Sequence, residues 1–229
     1  MEAKGDASPV TEADRAAERA LRAFLARRFP THGIIGEEYG IERGDAEYLW
    51  VLDPIDGTRA FVTGRPLFGT LIGLLHRGVP VLGLIDQPVT GERWVGLAGQ
   101  GTRFASPFGG TPRTRPCASL ARAELSATSP EIFDTAQAPR FERVRGAARR
   151  VTWGGDCYAY GLLALGLVDV VVEGTLKPWD WAALVPVVEG AGGRMTDWQG
   201  RALTLDSPGE VVAVGDAALL PQVVALLEG

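Results

Sequence analysis

Short segments in which apolar and polar residues alternate dominate the first half of the chain. Such alternation predicts half-buried strands, because successive side chains of a strand point to opposite faces. Turn signals at residues 77–78 and 89–91 separate three of these segments, and we expect them to form an antiparallel meander. The predicted strands are residues 67–75, 79–86 and 92–97.

An amphipathic helix is predicted before the strands. Thr11 and Asp14 have the spacing of a capping box, in which side chains bond the free N–H groups of the first helical turn. Apolar residues then recur at helical spacing, and the helix is expected to end near Pro30. Its predicted buried face consists of Ala17, Leu21, Phe24 and Leu25.

The second half of the chain alternates helical segments with β-branched strands. Residues 99–116, rich in Gly, Pro and Thr, are expected to connect the halves. We therefore predict an α+β half over residues 1–110 and an α/β half over residues 111–229. The predicted strands are residues 123–126, 168–173 and 211–214. The predicted helices are residues 130–137, 140–150, 157–165, 179–189 and 217–227.

Composition narrows the class of protein. The 229 residues carry a net charge of −5, with a pI near 5.2, and offer no basic surface for nucleic acid. No stretch approaches the length of a membrane span, and the first residues lack the apolar core of a signal peptide. Cys117 and Cys157 are too few for a disulfide framework, so we expect a reducing, cytoplasmic setting without membrane or nucleic-acid partners.

Candidate chemistry lies where the apolar run of residues 49–52 ends. Asp53 follows the run directly, and the predicted turn over residues 54–57 contains Asp56. Two carboxylates about 4 Å apart would repel each other by roughly 4 kcal/mol at an effective dielectric of about 20, and a bound cation removes that cost. Oxygen ligands favour magnesium, manganese or calcium over zinc. From this motif alone, a turn in which both aspartates cap backbone amides fits equally well.

Other acidic residues stand at the ends of predicted elements. Asp14 and Asp180 are ordinary helix caps when each is taken alone, and Glu37 with Glu38 fits a solvated turn. If a helix begins at residues 57–58, its free amides and dipole form an anion site beside the aspartates. Metal-binding carboxylates next to an anion site indicate phosphoryl chemistry.

The spacing of the same residues argues against other phosphatase classes. Asp53 and Asp56 are one residue too far apart for an aspartyl-phosphate nucleophile of the DxDxT type. Cys117 is followed by Arg122 after four residues, whereas a cysteine phosphatase loop has five between them. The chain contains no GxxxxGK[ST] motif that would form a P-loop.

Three motifs resemble, in order and spacing, the signatures of the inositol monophosphatase-like phosphatases. They are GEE at residues 36–38, DPIDGT at residues 53–58 and WDWAA at residues 179–183. The resemblance runs from Lys4 to near the C-terminus and implies the layered α-β-α-β-α sugar-phosphatase fold. Family members usually have an opening helix before the segment at Lys4, so here either the start is missing or that helix has been lost.

Within that superfamily the chain is most similar to the histidinol-phosphatase branch. The segments that carry this similarity are GGDCYAYG at residues 154–161, LKPWD at residues 176–180 and SATSPEIF at residues 126–133. Inositol monophosphatases usually have a Gly-Ser-Ala type sequence where Gly155, Asp156 and Cys157 stand here.

The resemblance also implies a set of metal ligands. Glu37, Asp53 and the backbone carbonyl of Ile55 would hold a first magnesium ion. Asp53, Asp56 and Asp180 would hold a second, and a third, weaker ion would lie near Glu37.

The same comparison implies residues for the reaction. Thr58 and Glu37, with Asp14, would orient and deprotonate the attacking water, and the amides of Gly57 and Thr58 would hold phosphate. The expected mechanism is in-line attack by a metal-activated water without a phosphoenzyme. We expect a homodimer that acts on a small phosphorylated metabolite.

The expected substrate is L-histidinol phosphate. Asp156 and Glu173 would meet its non-phosphate end, where a carboxylate suits an ammonium or imidazole group. Glu173 discriminates poorly, because inositol phosphatases also place a glutamate there to bind a hydroxyl. Inositol 1-phosphate, fructose 1,6-bisphosphate and 3′-phosphoadenosine nucleotides stay open as alternatives, although an acid at residue 156 disfavours phosphate-rich substrates. A non-catalytic metal-binding or regulatory homologue is the alternative of another class.

Overall fold

Two large β-sheets organise the computed structural model, which describes residues 2–3, 9–10 and 12–229, with side chains from residue 12 onward. The helices are α1 Glu12–Arg28, α2 Thr58–Val62, α3 Gln137–Ala147, α4 Asp156–Ala164, α5 Pro178–Trp181, α6 Leu184–Gly190 and α7 Leu220–Glu228. The strands are β1 Glu2–Ala3, β2 Pro9–Val10, β3 Gly33–Gly36, β4 Gly40–Glu42, β5 Tyr48–Asp56, β6 Gly69–His76, β7 Val79–Gln87, β8 Glu92–Leu97, β9 Gly101–Ala105, β10 Glu124–Ala127, β11 Arg150–Trp153, β12 Val170–Glu173, β13 Arg194–Thr196 and β14 Val211–Val214.

The first sheet has the strand order β4-β3-β5-β6-β7-β8-β9. β3 and β5 are parallel, and every other neighbouring pair in this sheet is antiparallel. The predicted meander is therefore confirmed. Its last strand, β9, lies in the segment that was predicted to be only a connection.

The second sheet has the order β11-β10-β12-β14-β13, and its strands β10, β11 and β12 are parallel. α4 and α6 lie between the two sheets, α1 packs on the outer face of the first sheet, and α3 and α7 pack on the outer face of the second. This is the predicted layered α-β-α-β-α arrangement. The main core cluster combines Trp94 of β8 with Trp181 of α5, so it draws on both sides of residue 110, and the predicted domain division there stays a prediction.

Three glycines on neighbouring strands let α6 lie directly on the first sheet. Gly73, Gly83 and Gly96 sit side by side on β6, β7 and β8. A Cβ atom at Gly83 would overlap the backbone of Ala183, and one at Gly96 would overlap the backbone of Pro186. This close approach fixes the distance between the first sheet and the segment that begins α6. It thereby also positions the preceding helix α5.

The predicted single helix over residues 179–189 is wrong, because two helices, α5 and α6, occupy this segment. The break falls at residues 182–183. Pro186 explains it: the residue has no N–H to donate to the carbonyl of Ala182, and its ring would clash with that carbonyl in a continuous helix. α6 does end at Gly190, at the predicted glycine stop.

Two other predicted helices are wrong in their bounds. The predicted helix over residues 130–137 is reduced to one 3-10 turn, Pro130–Ile132, and the next helix begins at Gln137. Asp134 then accepts hydrogen bonds from the N–H groups of Ala136 and Gln137, both 2.8 Å, and this starts α3. α3 ends at Ala147 rather than at residue 150, because the chain bends at residues 148–149 and strand β11 begins at Arg150.

The buried face of α1 differs from the predicted one. Phe24 is 57% exposed, whereas Asp14 and Glu18 are buried on the same face as Leu25. Thr11 and the segment from Lys4 to Ser8 lie outside the described residues, so the predicted capping box is not described. Among the described residues, no helix is both long and apolar enough to cross a membrane.

Candidate metal and substrate site

Asp53, Asp56 and Asp180 come together where the end of β5 meets α5. One carboxylate oxygen of each lies within 4.8 Å of the others. The apolar run was predicted to end at Leu52, but β5 continues to Asp56. Its register against β6 is irregular between the two aspartates. In a regular strand, residues three apart face opposite sides, so this irregularity lets both carboxylates reach one site.

Crowding and burial keep these carboxyl groups from ionising freely. Withdrawal from water raises the pKa of Asp53 well above its ordinary value, and the charges of Glu37, Asp56 and Asp180 raise it further. The pKa of Asp56 is also raised well above its ordinary value, chiefly by burial and then by Asp156 and Asp180. Burial raises the pKa of Asp180 to about 7, although the backbone N–H of Lys177 opposes the shift.

Asp180 therefore has two roles at the start of α5. Its Oδ2 accepts a 2.7 Å hydrogen bond from the N–H of Lys177, which is the capping role that its position predicts. Its carboxylate also belongs to the acidic cluster with Asp53 and Asp56. Capping and metal ligation are thus compatible for this residue.

Glu37 reaches the cluster from the turn after β3. Its charge raises the pKa values of both Asp53 and Asp180, so its carboxylate lies close to the cluster. Its own N–H donates to the carbonyl of Leu52, 3.2 Å away, on the parallel neighbour β5. Two parallel strands thus deliver Glu37 and Asp53 to the same sheet edge.

Glu18 holds this turn in place, and the sequence did not reveal it. The fully buried carboxylate accepts hydrogen bonds from the N–H groups of Glu38, at 2.7 Å, and Tyr39, at 3.2 Å. Arg22, one helical turn away, donates to it at 2.7 Å. A Cβ at Gly36 would overlap the Glu18 carboxylate, so glycine is required for this approach.

Asp14 lies one helical turn before Glu18 on the same face of α1 and is buried. The spacing of four residues between the two acids, with Arg22 four residues further on, is the signal by which Glu18 could have been found. Acidic residues at the same helical spacing as the buried apolar residues lie on the buried face of the helix.

Gly57 and Thr58 begin α2 next to the cluster, as predicted. Gly57 has a φ of +82°, and a Cβ there would lie 3.1 Å from the carboxylate of Asp156. Thr58 Oγ1 donates a 3.2 Å hydrogen bond to the carbonyl oxygen of Ile55. A carbonyl oxygen has two lone pairs, so that of Ile55 can still accept another partner.

Asp156 begins α4 on the opposite side of this turn. It has a φ of +43°, in the left-handed region that a non-glycine residue adopts at a cost. Burial raises the pKa of its carboxyl group, while the charges of Arg65 and Arg59 lower it. The next residue, Cys157, donates its N–H to Oδ2 of Asp56 at 2.6 Å, which ties α4 to the cluster.

Glu173 ends β12 and is not among the residues that line the cavity. Its Oε1 accepts from both the N–H and the hydroxyl of Thr128, at 2.9 and 3.0 Å. Its Oε2 is buried and has no hydrogen-bond partner among the described residues. Thr128, which was not predicted as a site residue, stands between Glu173 and the cavity.

A cavity of about 190 Å³ opens over these residues. Four of its lining residues were predicted for the site, and Arg59, Thr128 and Ile132 were not. Arg59 lies in the first turn of α2 and Thr128 directly follows β10, and neither position has a sequence motif that marks a site residue. The lining residues are Glu37, Gly57, Thr58, Arg59, Thr128, Ile132 and Asp156.

The acidic cluster fits a hard divalent cation. Oδ1 of Asp53 is buried without a hydrogen-bond partner among the described residues, and its neighbours in the cluster are carboxylates. Oxygen donors suit magnesium, calcium or manganese, and a cation would offset the repulsion that raises these pKa values. Next to the cluster lie backbone amides and a hydroxyl, which can hold a phosphate group, and the Asp156 carboxylate, which can accept hydrogen bonds from the rest of an ester.

Sequence comparisons relate the chain to known phosphatases. The model of the inositol monophosphatase family matches residues 1–228. The bifunctional phosphatase IMPL2 of Arabidopsis thaliana is 47% identical over 98% of this chain and 67% of that protein. A histidinol-phosphatase of Chlorobaculum parvum is 37% identical over 92% of this chain and 80% of that protein.

Solved structures give the same result for the fold. An inositol monophosphatase from Zymomonas mobilis superimposes with a TM-score of 0.90 and is 51% identical. The superposition covers 100% of this chain and 88% of that one.

Proposed function

Because this chain belongs to the inositol monophosphatase family, we propose that it is a magnesium-dependent phosphomonoesterase that hydrolyses L-histidinol phosphate. Family membership gives the coarse activity, that of a metal-dependent phosphatase of small phosphorylated substrates. The observation that carries the proposal is the carboxylate cluster of Asp53, Asp56 and Asp180, which lies beside a cavity lined by Asp156.

The metal ligands follow from the cluster and its neighbours. Asp53, Glu37 and the carbonyl of Ile55 would hold one magnesium ion, and Asp53, Asp56 and Asp180 would hold a second. A third, weaker ion is proposed near Glu37. When bound, such ions polarise a phosphate ester, lower the pKa of water and shield the leaving oxygen.

The other residues bind and orient the reactants. The amides of Gly57 and Thr58 would hold the phosphate, and since α2 has only five residues, we assign this role to those two N–H groups rather than to a helix dipole. The hydroxyl of Thr58, with Glu37 and Asp14, would orient the attacking water and accept its proton. Asp156 would contact the non-phosphate end of the substrate, with Glu173 behind Thr128.

The carboxylate of Asp156 supports a substrate with a cationic end. It lines the cavity next to Gly57, where a bound phosphate would lie, so the two ends of histidinol phosphate would reach both groups. The relatives named histidinol-phosphatases support the same substrate.

Inositol 1-phosphate is the second candidate, and one observation favours it. The charges of Arg59 and Arg65 act on Asp156 and partly neutralise its attraction for a cation. A carboxylate whose charge is partly compensated still accepts a hydrogen bond from a substrate hydroxyl. The resemblance to an inositol monophosphatase of known structure supports this alternative too.

A substrate panel tests the proposal. Phosphate release would be measured with magnesium on histidinol phosphate, inositol 1-phosphate, fructose 1,6-bisphosphate and 3′-phosphoadenosine 5′-phosphate. We expect the highest kcat/KM on histidinol phosphate. A higher value on inositol 1-phosphate would replace the proposed substrate, and stabilisation by magnesium without turnover of any ester would indicate the non-catalytic homologue. The homodimer and the cytoplasmic location stay predictions.

A further inference from the structure

A second cavity, of about 560 Å³, lies away from the metal site. Its charged lining consists of Arg115, Arg122, Arg149, Arg150, Glu124 and Asp169, and we call it the arginine groove. None of these residues takes part in the proposed hydrolysis. The groove lies where β10, β11 and β12 begin, at the opposite edge of the second sheet from Thr128, Asp156 and Glu173.

A buried acid fixes the first guanidinium group of the groove. Asp169 is 1% exposed and binds Arg115 through both oxygens, at 2.7 and 2.6 Å. It also accepts the N–H of Glu124 at 2.8 Å, which begins β10. The Arg115 side chain is still 43% exposed, so it keeps donors for a further partner.

Glu124 fixes the second guanidinium group. It accepts from Nε of Arg150 at 3.0 Å and from Nη2 at 2.5 Å, and Arg149 approaches it at 3.7 Å. The Arg150 and Arg149 side chains are 63% and 59% exposed. These two arginines share a single carboxylate partner.

The groove therefore carries excess positive charge on a chain whose net charge is −5. Arg122 lines it at the end of a 3-10 turn, and no carboxylate of the described residues forms an ion pair with it at 4.0 Å or less. Four guanidinium groups face two carboxylates, which leaves two positive charges uncompensated. Planar guanidinium forks suit phosphate and carboxylate oxygens, and two are already oriented.

We propose that the arginine groove binds a small phosphorylated metabolite with at least two negative charges, at a site separate from the catalytic one. Its volume lies in the range of small-molecule sites. Arg122 and Arg149 supply the uncompensated charge, and Arg115 and Arg150 are held in position by Asp169 and Glu124. Because the two cavities lie at opposite ends of the parallel strands, binding in the groove does not compete with substrate.

Calorimetric titration of the magnesium-loaded protein with inorganic phosphate tests this proposal. The wild type should show binding beyond that at the catalytic site. The double variant Arg122→Gln/Arg149→Gln should lose this extra binding, with an affinity at least ten-fold weaker, while its magnesium-dependent phosphatase activity stays within two-fold. The control Arg77→Gln/Arg145→Gln removes the same charge from exposed arginines outside the groove and should keep both binding events.

Three results would overturn the groove site. They are a single binding event in the wild type, unchanged phosphate affinity in the groove variant, and an equal loss in the control. The two proposals fail separately: a protein without phosphatase activity whose phosphate binding depends on Arg122 and Arg149 would contradict the proposed function and leave the groove site standing.

Discussion

The N–H of Cys157 donates a 2.6 Å hydrogen bond to Oδ2 of Asp56, a residue 101 positions earlier in the chain. This bond joins the start of α4 to the end of β5. It orients one of the clustered carboxylates and places Asp156 opposite Gly57. This hydrogen bond thus links the metal cluster directly to the substrate end of the cavity.

Replacing Asp53 should have opposite effects on activity and on stability. We expect Asp53→Asn to lower kcat/KM by at least about 10²-fold, because the variant loses a carboxylate ligand. Without metal, the variant should melt at a higher temperature than the wild type, because one of the crowded charges is gone. Asp45→Asn, at an exposed turn, is the control and should change neither value. Full activity in Asp53→Asn would contradict the assigned ligand.

The stability of the metal-free protein should fall as the pH rises from about 4 to about 7. The folded pKa of Asp180 is about 7, above the ordinary 3.8 that applies after unfolding. Between these values the folded state binds more protons than the unfolded state, so raising the pH favours unfolding, and the contribution of Asp180 levels off above pH 7. Melting temperatures in chelator from pH 5 to pH 8 check this. The slope should be smaller in Asp180→Asn.

Magnesium should reverse this trend, because the cation replaces protons on the cluster. Its affinity should rise with pH up to about 7, the pKa of Asp180. Titrations of magnesium at several pH values, followed by melting temperature, measure the change. A magnesium affinity that does not vary with pH would argue against ligation by these carboxylates.

Glu18→Gln should impair catalysis, although Glu18 does not contact the substrate. The carboxylate accepts from two backbone N–H groups and from Arg22, and the amide replaces these charge-assisted bonds by weaker ones. We expect a loss of about 1–3 kcal/mol in unfolding free energy and a lower magnesium affinity, because the turn that carries Glu37 loosens. Glu42→Gln, an exposed acid that also pairs with Arg22, is the matched control. Equal effects in both variants would rule out a positioning role.

Two glycine-to-alanine variants should change stability in opposite directions. Gly83→Ala would place a methyl group against the backbone of Ala183, so we expect a clear loss of stability and of magnesium binding as α5 shifts. Gly146 lies in α3, and a Cβ added there would meet nothing within 4 Å beyond its chain neighbours and the backbone of its own helix, so Gly146→Ala should raise the unfolding free energy by roughly 0.5–1 kcal/mol. Chemical denaturation of both variants measures the difference.

Asp156→Asn should separate the two candidate substrates. Loss of the negative charge should raise KM for histidinol phosphate by about ten-fold or more, whereas KM for inositol 1-phosphate should change little because an amide still bonds hydroxyls. Steady-state kinetics on both esters give the ratio. Equal changes in KM for both esters would mean that Asp156 does not distinguish the substrates by their charge.

Strands β6, β7 and β8 and the position of Asp53 and Asp56 at the end of the apolar run were predictable, because local signals encode them. Alternation and turn residues define the meander, and the DPIDGT motif carries its own constraint in Gly57, whose φ of +82° favours glycine. Pro186 was also a readable signal, and giving it weight would have split the predicted helix over residues 179–189 correctly.

Other features depend on contacts between distant parts of the chain and could not be inferred locally. Phe24 fits the apolar spacing of α1, yet the neighbouring stripe is the one that packs, because Glu18 finds its partners at residues 38 and 39. The bulge between Asp53 and Asp56 is defined only against β6. Thr128 became a site residue through its bonds to Glu173, 45 residues away.

The glycine strip of Gly73, Gly83 and Gly96 has a consequence for biosynthesis. The strip lies on strands that leave the ribosome early, whereas α6, the helix that covers it, is translated much later. Until then the glycine strip on the inner face of the first sheet is uncovered, and the apolar residues around it are open to association with other chains. Until α6 emerges and covers that face, the nascent chain must therefore stay apart from other chains or be bound by chaperones.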